Sequence, residues 1–164
     1  MLIRCWTGEQ IDCQEDSLVG ADLSQRNLHR ADLCEADLSQ ANLSRADLRS
    51  AEFLKSQLEG ARFTEARGMN AYFSEAKCRN ASFARSMMSY AHFEDADLTG
   101  ADFSDSVIDG ANFSRANLVG TKMLWSSFED PMLSGAVYDD TTVWPEGFDP
   151  IAFGAIFRGR IDIS

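Results

Sequence analysis

A five-residue repeat constrains this chain more than any other feature. Residues 31 to 50 read ADLCE ADLSQ ANLSR ADLRS, so Ala, Asp or Asn, and Leu recur in the same order four times. Side chains return to one face of an α-helix about every 3.6 residues and to one face of a strand every second residue. A period of five fits neither element, and it indicates a chain that bends at regular intervals.

The repeat keeps one phase over most of the chain. If the Leu of ADL is called the central residue, central positions fall at every fifth residue from 18 to 143, which gives 26 blocks. Of these 26 central residues 25 are apolar, and the exception is Gly68. The residue two places earlier is Ala, Ser or Thr at 23 of 25 positions, and the exceptions are Arg26 and Pro131. A repeat this regular decides the fold before any single helix or strand is assigned.

Each block predicts one straight side and one corner. The small residue and the central residue are two apart, so in an extended segment both point to the same side, and the residue between them points outward. The last two residues of a block are turn formers such as Ser, Gly and Asn. The chain should therefore wind into a tube with the small and central residues inside, and local bulges are expected at Arg26, Gly68 and Pro131.

Two patterns predict four sides per coil. Phe occupies every second central position from 53 to 113, which requires an even number of sides, and four is the smallest that closes. Outward charges also alternate in sign at a stride of four blocks, so that oppositely charged side chains would stack about 4.8 Å apart. Each such exposed pair contributes at most about 1 kcal/mol. The expected stacked charges are Arg45, Glu65, Arg85 and Asp105, then Glu35, Lys55, Glu75, Asp95 and Arg115, and the pairs Glu59–Arg79, Lys77–Asp97 and Asp102–Lys122.

The A(D/N)LXX blocks between residues 16 and 143 resemble the pentapeptide-repeat family. The resemblance implies an all-β solenoid, a right-handed quadrilateral parallel β-helix, here of about six coils. The segment VWPEGFDP at 143–150 is similar to the C-terminal segment of members common in cyanobacteria. The motif implies a structure and supplies no catalytic residues. Some members resemble duplex DNA in shape and charge and bind DNA gyrase, and members occur as monomers or as dimers joined end to end.

The ends of a solenoid need caps, because the last coil exposes unpaired backbone and an open core. We expect an N-terminal cap at residues 1–15, the β-helix at 16–145 and a C-terminal capping segment at 146–164. Asp149 followed by Pro150 predicts the start of a short helix. An apolar plug is expected there, which favours a monomer over an end-to-end homodimer. The plug would consist of Ile151, Phe153, Ile156 and Phe157, and the N-terminal strands would contain Leu2, Ile3, Trp6 and Ile11.

The composition limits the classes of partner that this chain is expected to bind. The 164 residues carry a net charge of −11, which argues against direct binding to nucleic acid or to an anionic membrane. Neither a signal peptide nor a run of about 18 apolar residues is evident, so a soluble cytoplasmic protein is expected.

Among the four cysteines, Cys78 replaces a core Leu or Phe and should be buried. A hairpin whose turn contains Gly8 and Glu9 would bring Cys5 across from Cys13, and either a disulfide or free thiols would be consistent with it.

Nothing in the sequence indicates catalysis. The two histidines, His29 and His92, lie far apart in the chain, about three coils along the predicted tube, and no nucleophile, phosphate-binding or metal-binding motif is present. Acidic side chains would project from a convex tube with no pocket. We therefore expect no enzyme activity, no cofactor and no metal site.

Charge is distributed unevenly along the predicted tube. Residues 86–114 contain no Lys or Arg, and six acids lie between 94 and 109, whereas residues 62–85 contain five bases and two acids. The two regions would form a basic belt stacked on an acidic belt. Mutual neutralisation is the favoured interpretation, and a docking surface is the alternative.

One cluster of outward positions is apolar and is the candidate interaction patch: Tyr72, Met87, Tyr90, His92 and Val107. Exposed apolar patches often mark binding sites. Alternatively, Gly68 leaves a void that Met69 or Met87 fills, within an irregular corner at 67–70. The sequence predicts a non-enzymatic protein-interaction scaffold of unidentified partner. The alternative is an acidic DNA mimic that binds a type II topoisomerase such as gyrase, although the basic belt would interrupt its acidic surface.

Overall fold

The fold is a four-sided tube. The computed structural model describes residues 2–5, 10–12, 17–130 and 132–159. Parallel bridges join each outward residue to its equivalent four blocks later, beginning with the pairs Asp22–Asn42 and Asn27–Asp47. The bridged positions define four walls: wall 1 runs from 22 to 122 and ends at 143, wall 2 from 27 to 127, wall 3 from 32 to 132 and wall 4 from 37 to 137. The predicted coil of four blocks is confirmed.

Backbone hydrogen bonds of the same kind recur in successive blocks. The Leu23 N–H donates to the Asn42 carbonyl of the next coil at 2.8 Å, and the Asn42 N–H donates back to Ala21 at 2.9 Å. The Ala21 N–H closes the corner by donating to the Leu18 carbonyl at 3.1 Å. The last residue of a block adopts a left-handed conformation, with φ of 57° at Glu35. Glycine adopts this region without steric cost, which explains why several blocks end in Gly.

The interior is filled by the small and central residues, as predicted. Alternate central phenylalanines form two stacked columns on opposite walls, Phe53, Phe73, Phe93 and Phe113 on wall 3 and Phe63, Phe83 and Phe103 on wall 1. Ring centroids within a column lie 4.7–4.9 Å apart, which matches the coil spacing. Buried serines are satisfied locally, since the Ser86 hydroxyl donates to the Phe83 carbonyl at 2.6 Å. Cys78 is fully buried, which confirms its interpretation as a core residue.

The expected irregularities at Gly68 and Arg26 are wrong. Gly68 does not have a positive φ, its N–H donates to the Met87 carbonyl at 2.8 Å, and the corner that follows has the same geometry as its neighbours. A Cβ at Gly68 would lie 2.4 Å from Sδ of Met88, so the void is filled by the central residue of the next coil rather than by Met69 or Met87. Arg26 is exposed, and its carbonyl still accepts from the Asp47 N–H at 2.9 Å. Pro131 lies outside the described residues.

The repeat phase changes in the last coil. Every described ladder step on wall 1 spans four blocks except the last, which joins Lys122 to Val143 and so contains one extra residue. Val143 is therefore an outward residue, 44% exposed, and not the central residue that the unbroken phase predicted. Trp144 takes the inward position and packs against the core, with its ring 5.5 Å from that of Tyr138.

Short strands flank the tube at both ends. Strand β1 (Leu2–Cys5) pairs antiparallel with β2 (Gln10–Asp12) and with β3 (Ala31–Asp32). The hairpin joins Ile3 to Ile11, so its register differs from the one that would place Cys5 across from Cys13. Cys13, Trp6 and the side chain of Cys5 lie outside the described residues, and the disulfide stays a hypothesis.

The C-terminal end closes differently from the prediction. Strand β4 (Val137–Tyr138) pairs in parallel with β5 (Ile156–Phe157), and a single 3-10 turn (Pro150–Phe153) lies between them. Asp149 is the N-cap, and its carboxylate accepts from the Ile151 N–H at 3.0 Å, as predicted. The apolar plug is wrong, because its four side chains are 41–61% exposed. The residues that cover the core are Trp125, Phe128, Trp144 and Phe148.

Ion pairs connect neighbouring coils. Arg45 bonds Glu65 at 2.8 Å and Arg115 bonds Asp95 at 2.6 Å, both across one coil as predicted. The expected pairs Lys55–Glu75 and Asp102–Lys122 form at 3.6 and 3.5 Å. The predicted pairs Glu59–Arg79 and Lys77–Asp97 are wrong, because Arg79 reaches diagonally to Asp97 at 2.6 Å.

Candidate functional site

The predicted interaction patch lies on walls 2 and 3 and on the corner between them. Its outward orientation is confirmed: Tyr72, Met87 and Tyr90 are 43%, 46% and 57% exposed. His92 and Val107 are half-buried. One coil contributes Met87 on wall 2, Tyr90 at the corner and His92 on wall 3. The patch therefore spans three adjacent coils and turns one edge of the tube.

Within wall 3 the patch is built around a ring stack. Tyr72 and His92 are ladder neighbours, and their rings lie parallel, 4.7 Å apart with an interplanar angle of 5°. The His92 Nδ1 lies 3.1 Å from the carboxylate of Glu94. This contact and the stack hold the His92 ring in place beneath the Tyr72 ring.

Glu94 is the polar anchor of this arrangement. Its carboxylate accepts from Asn112 at 2.7 Å and from Ser74 at 3.1 Å, in addition to its contact with His92. Partial burial opposes ionisation of Glu94, but hydrogen bonds from the backbone and from His92 outweigh it and hold the pKa of this carboxyl below its usual range. Glu94 is thus a structural acid that orients His92, and sequence reasoning placed it only within the acidic belt.

The wall 2 half of the patch is also stacked. Met87 and Val107 are ladder neighbours, and the Tyr90 ring lies over Gly110 of the next coil, where an added Cβ would come within 2.5 Å of the ring. Gly110 therefore leaves room for the Tyr90 ring to lie against the corner. Because this ring is the most exposed of the patch, it is the residue most accessible to a partner.

A shallow groove of about 280 Å³ adjoins the patch on wall 3. It is lined by Glu52, Leu54, Tyr72 and Ser74. Glu52 and Tyr72 are ladder neighbours, and Leu54 and Ser74 follow them at the next corner. Sequence reasoning singled out Tyr72 but missed Glu52 and Leu54. The signal was the four-block stride, which places Glu52, Tyr72 and His92 in one column.

Asp32, Cys34 and Glu52 gather at the beginning of wall 3, with potential ligand atoms within 4.8 Å of one another. The Cys34 thiol donates to the Glu52 carboxylate across 3.8 Å. Burial, together with the nearby Asp32, raises the pKa of this thiol to about 11. A protonated thiol is a poor metal ligand, so this group acts as a hydrogen-bonded pair on an acidic surface.

The acids of the predicted acidic belt are mostly bound within the protein. Besides Glu94, Asp95 pairs with Arg115, Asp97 with Arg79 and Asp102 with Lys122. Asp109 accepts from the Ser127 hydroxyl at 2.6 Å and from the Glu129 N–H at 2.8 Å. Of these ion pairs, only Arg79–Asp97 joins the predicted basic belt to the acidic belt, and the other two are formed by bases of the coils that follow.

The chain belongs to the pentapeptide-repeat family. The family's sequence profile, described as pentapeptide repeats, matches in eight copies over residues 17–45, 27–64, 69–105 and 96–130. No curated protein sequence matches the chain. The fold is accordingly a right-handed quadrilateral β-helix, as its structural relatives are.

Several solved structures are similar to this chain. A trypsin-treated form of QnrB1, a plasmid-mediated fluoroquinolone resistance protein, matches with a TM-score of 0.62 at 17% identity, over 75% of this chain and 69% of that one. A pentapeptide-repeat protein of the Arabidopsis thaliana thylakoid lumen is 27% identical over 62% of this chain and 68% of that one, with a TM-score of 0.42. HetL of Nostoc sp. strain PCC 7120, involved in heterocyst differentiation regulation, is 21% identical over 84% and 64%, with a TM-score of 0.38.

The described part of the chain contains no helix with the length and apolar character needed to cross a membrane.

Proposed function

We propose that this protein is a non-enzymatic scaffold that binds a protein partner through the interaction patch on walls 2 and 3. The observation that carries the proposal is the exposure of Tyr72, Met87 and Tyr90 around one edge of a hydrogen-bonded tube. Large aromatic side chains and Met are enriched at the centres of protein interfaces. The ladder orders the backbone before binding, so association would cost little conformational entropy.

A pull-down with matched variants tests this proposal. Immobilised wild-type protein should capture a partner from native lysate, and Tyr90→Ala and Met87→Ser should each lose it while retaining the wild-type melting temperature. Leu124→Ala is the control, because Leu124 is 41% exposed but lies outside the patch. The proposal fails if the patch variants retain every captured protein or if the control loses the same ones.

The second candidate is a DNA mimic that binds a type II topoisomerase such as gyrase. The net charge of −11 and the tube shape favour it. Against it, no wall carries an unbroken column of acids: Arg62, Arg67 and Lys77 interrupt walls 1, 2 and 4, and Tyr72 interrupts wall 3. A gyrase supercoiling assay separates the two proposals, and the scaffold proposal expects no inhibition at micromolar protein.

The exposed C-terminal side chains bear on the oligomeric state. The sequence favours a monomer because it predicts a plug that buries Ile151, Phe153, Ile156 and Phe157, but the structure exposes all four. Among the described strands, β5 pairs with β4 alone. We therefore infer that an end-to-end homodimer is favoured over the monomer. Light scattering during gel filtration should give twice the chain mass of 18.2 kDa, and a mass of one chain would refute this.

Two further expectations from the sequence belong to this proposal. A cytoplasmic location is consistent with the free thiols of Cys34 and Cys78. The absence of direct nucleic-acid binding follows from the net charge, since an acidic surface repels phosphates.

A further inference from the structure

The groove on wall 3 has one aromatic side. The Tyr72 ring is covered by His92 on one face, and because the ladder order is Glu52, Tyr72, His92, its other face is directed toward Glu52 and the groove. Leu54, 39% exposed, adds an aliphatic surface beside it. A guest in this groove would meet a flat ring face, an aliphatic side chain and a carboxylate.

The groove also has a charge that the rest of the surface does not neutralise. Among the described residues, five outward acids pair with an Arg or Lys of a neighbouring coil, but no Lys or Arg forms an ion pair with Glu52. Its hydrogen-bond donor there is the Cys34 thiol, a weak donor. The two nearest bases in sequence are engaged elsewhere, since Lys55 pairs with Glu75 at 3.6 Å and Arg49 with Asp47 at 2.6 Å. The carboxylate of Glu52 therefore retains capacity for a cationic donor.

We propose that this groove binds an arginine side chain of the protein partner, with the guanidinium against the Tyr72 ring and bonded to Glu52. Arginine suits all three surfaces, because its plane stacks on aromatic rings, its fork of N–H donors matches a carboxylate and its methylene stem packs on apolar groups. Lysine would form the ion pair but lose the fork and the stacking.

This inference rests on the proposed protein-binding function, and it specifies which side chain of the partner contacts the edge of the patch. The other acid near the patch cannot take the same role. Glu94 already accepts from Ser74 and Asn112 and contacts His92, so most of its acceptor sites are taken. A basic residue in the partner is therefore directed to Glu52, on the side of Tyr72 away from His92.

The probe for this test is the peptide acetyl-Gly-Ala-Arg-Ala-Gly-amide, titrated into the full-length ¹⁵N-labelled protein and followed by NMR. Amide shifts should concentrate at Leu54, Tyr72 and Ser74. The same peptide with citrulline in place of Arg keeps the shape but removes the charge, and its affinity should fall by about fivefold or more, the loss of one exposed ion pair and its stacking. Equal binding of both peptides, or shifts spread over the whole surface, would overturn the proposal.

Matched variants separate this site from general charge attraction. Glu52→Gln and Tyr72→Leu should each weaken the Arg peptide by about fivefold, whereas Tyr72→Phe, which keeps the ring, should bind like wild type. Asp105→Asn removes one exposed charge from the opposite corner of the tube and should have no effect. If Asp105→Asn weakens binding as much as Glu52→Gln, the attraction is non-specific and the proposal is wrong.

The two proposals can fail separately. A partner lost in Tyr90→Ala but retained in Glu52→Gln would leave the scaffold function standing and refute the arginine groove. Specific binding of the Arg peptide without any patch-dependent partner would support the groove and refute the scaffold function of the patch.

Discussion

At the scale of single residues, Gly68 shows how a departure from the repeat is compensated. It is the one central position without a side chain, and the space is taken by Met88 from the coil that follows. Met is suited to this because its unbranched chain and polarisable sulfur fill irregular gaps. The two residues form one packing unit, although they lie a full coil apart in the sequence.

Gly68→Leu should destabilise the protein by about 1–3 kcal/mol, because a Cβ there lies 2.4 Å from the Met88 sulfur and the core would be overpacked. Met88→Ala alone should cost about 2–5 kcal/mol through the cavity it opens. Combined, the two changes should cost less than their sum by more than about 0.5 kcal/mol, since they share one space. Urea unfolding of the three variants measures this, and strict additivity would mean that Met88 does not fill the gap.

Cys34 should be an unreactive thiol. Burial and the nearby Asp32 raise its pKa from 9.0 to about 11, so the reactive thiolate is about 100-fold scarcer at pH 8 than in an ordinary cysteine. Iodoacetamide labelling in a Cys5→Ala, Cys13→Ala background should therefore be correspondingly slow. Asp32→Asn removes one cause of the shift and should accelerate labelling, while buried Cys78 should react only on unfolding. Rapid labelling of Cys34 in the parent background would contradict the environment described here.

At the scale of elements, the two phenylalanine columns are the continuous part of the core. Rings of the two opposite walls meet edge to face, with Phe63 and Phe73 centroids 5.5 Å apart and their planes at 88°. Aromatic pairs prefer such edge-to-face and offset arrangements, which add to the burial of apolar area. Each ring therefore contacts its own column and the opposite one, which makes the middle coils a single unit.

Phe73→Ala should destabilise the protein by about 3–5 kcal/mol, the usual cost of emptying a buried aromatic site. The ring lies between Phe53 at 4.7 Å and Phe93 at 4.8 Å, so both stacks are interrupted at once. Phe73→Leu keeps most of the volume and should cost clearly less. Thermal or urea unfolding gives the comparison, and a loss below about 1 kcal/mol for Phe73→Ala would place the ring outside the core.

At the scale of the whole molecule, the sequence predicts the features of the fold that depend on the five-residue period. The tube, its four sides and the Phe columns follow because each block makes the same hydrogen bonds and buries the same positions. The sequence could not predict that Met88 fills the space at Gly68 or that Arg79 pairs diagonally with Asp97, because both depend on how far the side chains reach. It also could not predict that Val143 faces outward, because this depends on one extra residue in a corner. For the patch, the period predicted which side chains face outward. The groove between Glu52 and Tyr72 requires two coils to be stacked before it exists.

The four-block coil also means that the position of a block in the chain determines the direction in which it faces around the tube axis. Each block turns the chain by a quarter of a revolution, so two extra blocks would rotate everything after them by half a revolution. The two blocks ANLSQADLSQ, inserted between Asn80 and Ala81, should preserve the alternation of the phenylalanines and thus a folded tube. The insertion would nevertheless carry His92 to the side opposite Tyr72, while Ser82 became the new neighbour of Tyr72. Such a variant should unfold cooperatively and bind no partner that needs both halves of the patch, and binding that persisted would show that one half suffices.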